Sequence, residues 1–189
     1  DADMGITHII RGDDHISNTP KQIVLYEALG FSPPLFAHIP MILSAEGGRL
    51  SKRSGATALS EYRAMGFLPE AILNYLSLLG WSAGDDQEIF SKEELIKKFS
   101  MKHVKDSAAT FDMDKLRWIN GSYIRAKDSD ALLDMVIPFA REKGSISGNN
   151  FDRNWLRDLV QLFRERMETL NDFLQRASFF FVDEPVIDE

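Results

Sequence analysis

Residues 5–30 read GITHIIRGDDHISNTPKQIVLYEALG, and the order of signals within them decides the fold. GITHIIRG is a short β-branched run suited to a buried strand, and the remainder carries helix punctuation. Thr19 is placed to cap, Pro20 suits the first helical position, and Gly30 suits the stop. Ile23, Tyr26 and the pair Ala28 and Leu29 mark the apolar face of a helix of about four turns. After the turn FSPPLF comes HIPMILS, residues 38–44, a second apolar run. Strand, helix, strand is the pattern of a parallel crossover unit, and open sheets of that kind place ligands at the carboxyl ends of their strands.

Two candidate sites share that edge. GGRLSKRSG, residues 47–55, follows the second strand and sets Arg49, Lys52 and Arg53 among the flexible glycines Gly47, Gly48 and Gly55, with the Ser51 hydroxyl between the cations. Such a loop can wrap an anion, and Lys52 is a compact point charge suited to follow a phosphate through bond breaking. A solvated surface loop has the same composition, so the loop alone does not decide. At the end of the first strand, Arg11 has the planar fork that pairs with a carboxylate or phosphate, and Asp13 and Asp14 can accept from a hydroxyl or amine. An internal ion pair from Arg11 to either carboxylate, shaping the turn, reads equally well.

From Thr57 onward the pattern is helical. LSEYRAMG ends at Gly66, and PEAILNYLSLLG runs from Pro69 to Gly80. Ser91 and Glu94 form a capping box, and Asp112 caps MDKLRWIN ahead of Gly121. A compositional break at RAKDSD, residues 125–130, puts a domain boundary near Lys127. SDALLDMVIPFAREKG and DRNWLRDLVQLFRERMETLNDFLQRASFFF follow as longer amphipathic helices around the loop SISGNN. The aromatic residues of WLRDLVQLF and FFF are expected to pack inward.

The remaining composition narrows the classes. With 189 residues, 44% hydrophobic and 27% charged, the chain is globular material for one large or two small domains. A net charge of −7 argues against a uniformly basic nucleic-acid coat but leaves local basic patches open. No cysteine is present and the four histidines are scattered, so no protein-held metal is expected. No apolar run approaches a membrane span and DADMGITH lacks the features of a signal peptide, so the expectation is a cytoplasmic protein without a membrane partner.

Taken in order, THIIRGDDHISNTPKQ, HIPMIL, RLSKRSG, GFLPEAILNYLSLLGW, EIFSKEEL and FDMDKLRWINGSYIR closely resemble the middle of bacterial glutamyl-tRNA synthetases. The likeness runs from about Ile6 to Arg125, and FRERMETLNDFLQRASFFF resembles the first anticodon-binding helical domain of the same family. These are class I aminoacyl-tRNA synthetases with two signature motifs, H-I-G-H and K-M-S-K-S. Only the second has a counterpart here, RLSKR, with Arg49, Leu50 and Arg53 departing from the family residues.

The resemblance implies a mainly α chain with a small α/β remnant. Residues 1–56 would be the C-terminal part of a Rossmann catalytic domain, 57–127 a stem-contact domain, and 128–189 the first anticodon-binding domain, incomplete. It implies ATP-dependent ligation of L-glutamate to tRNA-Glu through a glutamyl adenylate, with Mg²⁺ carried by the ATP, in a parent that acts as a monomer. Lys52 would be catalytic at the ATP phosphates with Arg49, Ser51 and Arg53 beside it. Asp14 and His15 would lie near the adenosine, the backbone of Met41 and Ile42 at the adenine edge, and Arg11 at the glutamate side chain. Arg117, Arg125 and Lys127 would meet the tRNA stem, and Arg164 and Arg166 the anticodon side, although Glu165 and Glu168 interleave with these arginines as on a solvated helix face. Without the H-I-G-H half, this chain alone is expected to be inactive. The alternative is a stand-alone tRNA-binding module, against which the retention of Arg11 and Lys52 counts. A shortened paralogue that glutamylates a modified anticodon base would lack the helical tail from Ser129.

Overall fold

The computed structural model describes residues 1–48, 50, 58–146 and 152–181. Strand β1 (His8–Gly12) enters a 3-10 turn (Asp13–Asn18), helix α1 (Thr19–Ala28) follows, and β2 (Leu35–Ile39) returns parallel to β1. The register sets Arg11 opposite His38 and Gly12 opposite Ile39, so both strands end at one edge. This is the expected crossover unit, with two corrections. β2 begins at Leu35, inside the expected turn, and HIPMILS is divided at Pro40, which has no N–H to offer a ladder. Its second part forms β3 (Ile42–Leu43), which pairs in parallel with β4 (Ala109–Thr110) in a separate sheet. The strand β4 falls in a region expected to be helical.

Gly30 ends α1 at φ 74°, as expected, but Thr19 does not cap it. Its hydroxyl accepts from Arg11 instead, at 2.7 Å. Ile10 and Leu35 on the strands and Val24, Leu25 and Leu29 on the helix are exposed.

The core lies in the helical part. Helices α2 (Leu59–Ala64), α3 (Pro69–Leu78), α4 (Lys92–Lys98), α5 (Met113–Ala126), α6 (Ser129–Glu142), α7 (Arg153–Phe163) and α8 (Leu170–Arg176) follow in order. Most share one apolar core that runs from Tyr62 to Ala177, continuous across residue 127. Ser91 accepts the Glu94 N–H at 3.1 Å and Glu94 accepts the Ser91 N–H at 2.7 Å, the expected capping box. Asp112 caps α5 as expected, but α5 runs through Gly121 to Ala126. Gly121 meets the segment ahead of α8: a Cβ there would come within 3.1 Å of the Met167 carbonyl oxygen.

The expected long C-terminal helix is broken. A 3-10 turn (Arg164–Arg166) follows α7, Thr169 opens α8 through a capping box with Asp172, and a second 3-10 turn covers Ser178–Phe181. Leu156, Leu159 and Val160 pack inward, whereas Trp155, Leu162, Phe179 and Phe180 are substantially exposed. Trp155 makes edge contacts with Phe180 and Phe181; Phe181 packs inward against the core and the fully buried Phe173, as expected, whereas Trp155, Phe179 and Phe180 stay at the surface.

Buried polar groups join the parts. Asn74, fully buried, accepts the Phe90 N–H at 2.7 Å and donates to the Glu88 carbonyl at 2.9 Å, and the Tyr123 hydroxyl donates to Asn74 Oδ1 at 2.8 Å. Burial pushes the Tyr123 and Tyr75 hydroxyls up to about 12, so both stay neutral donors and acceptors at physiological pH. No helix among the described residues is long and apolar enough to cross a membrane.

Candidate functional site

A cleft of about 480 Å³ opens at the carboxyl ends of β1 and β2. Arg11, Gly12, Asp14 and His15 form one wall, and Ile39 to Ile42 form the floor. Leu50, a described residue of the cationic loop, borders the same cleft and donates its N–H to the Ile42 carbonyl at 3.2 Å. Five positions singled out in the sequence, Arg11, Asp14, His15, Met41 and Ile42, therefore converge on one space. Arg49, Ser51, Lys52 and Arg53 lie outside the described residues.

The Arg11 guanidinium does not pair with Asp13 or Asp14. Nη2 donates to Thr19 Oγ1 at 2.7 Å and reaches the His15 carbonyl at 3.5 Å, Nε reaches His38 Nε2 at 3.5 Å, and Cζ lies 5.3 Å from the centre of the Phe36 ring. Asp14 stands 4.0 Å from His15 Nε2, and Asn18 Nδ2 is 3.3 Å from His15 Nδ1. The wall thus presents a held cation with a carboxylate and an imidazole beside it, which suits an anionic group next to a hydrogen-bonding one.

The opposite wall was not legible in the sequence. Leu79 and Gly80 at the end of α3, and Val104, Lys105, Ser107 and Ala109 ahead of α5, complete the cleft. The Lys105 N–H donates to the Gly80 carbonyl at 2.7 Å, Val104 bridges Trp81, and the Phe111 N–H donates to the Leu43 carbonyl at 2.8 Å. These backbone bonds hold the segment in place. A larger cleft of about 700 Å³, between α3 and α6, is almost wholly apolar and lies apart from these groups. Among the described residues no group of three or more His, Asp or Glu gathers to hold a metal ion.

Of the expected tRNA contacts, Lys127 is paired with Glu70, and Arg117 lies 4.0 Å from Glu168. Arg125 donates to Ser122 Oγ at 3.1 Å. Arg164 donates through Nη2 to the carbonyls of Arg125 and Lys127, closing the end of α5, and through Nη1 to Gln161. Arg166 is exposed on its 3-10 turn.

Residues 1–118 match the family described as tRNA synthetases class I (E and Q), catalytic domain, and residues 131–189 match an anticodon binding domain. The glutamate–tRNA ligase of Aquifex aeolicus is 51% identical over 191 residues, a match covering 100% of this chain and 40% of that protein. That of Geobacter sulfurreducens is 50% identical over 189 residues, with the same coverage. The crystal structure of the glutamate tRNA ligase from Elizabethkingia meningosepticum in complex with its amino acid superposes with a TM-score of 0.78 at 32% identity, covering 98% of this chain and 40% of that one. The chain spans about two fifths of the length of the curated relatives it matches. With residues 1–118, more than half of the chain, matched to the catalytic domain, the chain belongs to the class I tRNA synthetases of the E and Q group.

Proposed function

We propose that the chain supplies one wall of the active site, the stem-contact unit (57–127) and the start of the anticodon-binding unit (128–189) of a glutamate–tRNA ligase, with residues 1–56 completing a Rossmann domain. In the first step a carboxylate oxygen of L-glutamate attacks the α-phosphate of ATP and pyrophosphate leaves. In the second, a terminal ribose hydroxyl of tRNA-Glu attacks the carbonyl of the glutamyl adenylate and AMP leaves.

Arg11 pairs with the glutamate side-chain carboxylate, and a neutral or shorter side chain leaves that buried charge unanswered. Asp14 and His15 sit beside the adenosine, and the backbone at Met41 and Ile42 meets the adenine edge. Lys52, with Arg49, Ser51 and Arg53, offsets charge on the phosphates, a contribution of about 3 to 4 kcal/mol to the barrier for groups of this kind. Mg²⁺ enters with ATP and neutralises phosphate charge. The observation that carries this reading is the convergence of Arg11, Asp14, His15, Met41 and Ile42 on one cleft bordered by Leu50 of the cationic loop.

Glutamate-dependent ATP–pyrophosphate exchange tests it. The complete enzyme should exchange, and this 189-residue chain alone should not, because the H-I-G-H half of the site has no counterpart in it. Exchange by the chain alone, or a complete enzyme indifferent to glutamate, would overturn the reading.

A further inference from the structure

We infer that Thr19 and His38 are positioning residues that aim the Arg11 guanidinium into the cleft, an inference that rests on Arg11 being the receiver of the glutamate carboxylate. Thr19 Oγ1 accepts from Arg11 Nη2 at 2.7 Å, which leaves its single proton for another acceptor. Two are within reach, the His15 carbonyl at 3.3 Å and His38 Nε2 at 3.0 Å, and the closer is the imidazole. Arg11 Nε points at the same ring nitrogen from 3.5 Å. The relay takes His38 Nε2 as the acceptor of both, which puts the ring proton on Nδ1.

The relay fixes a flexible side chain from several sides. Phe36 and His38 come from β2, Thr19 from α1, and the His15 carbonyl from the turn, while among the described residues Nη1 meets no acceptor. Two carboxylates, Asp13 and Asp14, lie two and three residues on in the chain and would otherwise compete for the cation. Held by Thr19 and His38, the fork stays available to a ligand carboxylate, and its ordering is complete before the ligand arrives.

Steady-state kinetics of the complete enzyme test this. Thr19→Val and His38→Ala should each raise the KM for glutamate roughly tenfold, with little change in the KM for ATP. Thr19→Ser and His38→Gln, which restore a hydroxyl and an acceptor, should recover most of the loss. Long-range nitrogen–proton spectra of the 189-residue chain should show His38 protonated at Nδ1. Arg11→Ala separates the two levels. An unchanged glutamate KM in that variant overturns the reading of Arg11 itself. A KM that depends on Arg11 but ignores Thr19→Val and His38→Ala overturns the positioning inference. A proton on Nε2 of His38, or equal losses for glutamate and ATP without rescue by His38→Gln, does the same.

Discussion

Asn120, fully buried on α5, accepts the backbone N–H of Leu68 at 2.8 Å, and its amide donates in turn to the carbonyl of Glu168. One side chain thereby ties the residue ahead of α3 and the loop ahead of α8 to the middle of α5. Asn120→Ala leaves a buried donor and a carbonyl without partners and should lower stability by about 2 to 4 kcal/mol in urea unfolding. A loss under about 0.5 kcal/mol, the scale of ordinary surface changes, would show that the clamp carries no weight.

Gly66 sits at the same junction, at φ 86°, and its carbonyl accepts the Leu170 N–H at 3.0 Å. A Cβ there would come within 2.7 Å of the Asn171 nitrogen and 2.8 Å of the Leu170 nitrogen, both backbone atoms. Gly66→Ala combines a disfavoured left-handed conformation with that clash and should destabilise the chain by roughly 2 kcal/mol or more, read as a lowered melting temperature. A melting temperature equal to the parent's would contradict the close approach of α8 to this turn.

Acid stability follows from the caps. The N–H groups of Ala131 and then Asp130, donated to the Asp128 carboxylate at the start of α6, hold it below the usual carboxylate range. A group whose folded pKa is depressed stabilises the fold above its unfolded value, and that contribution disappears as pH falls through the folded one. The melting temperature should therefore decline below about pH 4. Asp128→Asn keeps a capping oxygen that does not titrate, so its decline should be shallower; an identical decline would remove Asp128 from the account.

Much of this architecture was legible because its signals are local. Gly30, Gly80, the Ser91–Glu94 box and the Asp112 cap act within a few residues, and each stands where the pattern puts it. What was not legible depends on distant partners. Thr19 reads as a cap until Arg11, eight residues earlier, takes its hydroxyl. The strand at Ala109–Thr110 exists only because Ile42 and Leu43 lie beside it, and Arg164 reads as a surface cation until the end of α5 presents two carbonyls. In the same way one wall of the cleft follows from the first strand and its turn, whereas the Val104–Ala109 wall requires the pairing with Gly80 and Leu43.

Of the two arginines expected on the anticodon side, Arg166 is the exposed one, since Arg164 is committed to the end of α5. Affinity of this chain for tRNA should fall steeply with salt, and Arg166→Ala should reduce the slope of log affinity against log salt by about 1. Binding indifferent to salt, or no binding at low salt, would count against this surface.

The central claim is that Arg11 reads glutamate. Its most direct measurement is ATP–pyrophosphate exchange by the complete enzyme and its Arg11→Ala variant, with folding checked by circular dichroism. Glutamate should drive exchange in the parent, and the variant should require at least about a hundredfold more glutamate with the KM for ATP unchanged. An unchanged glutamate requirement in the variant, or a parent driven by an amino acid without a side-chain carboxylate, would contradict it.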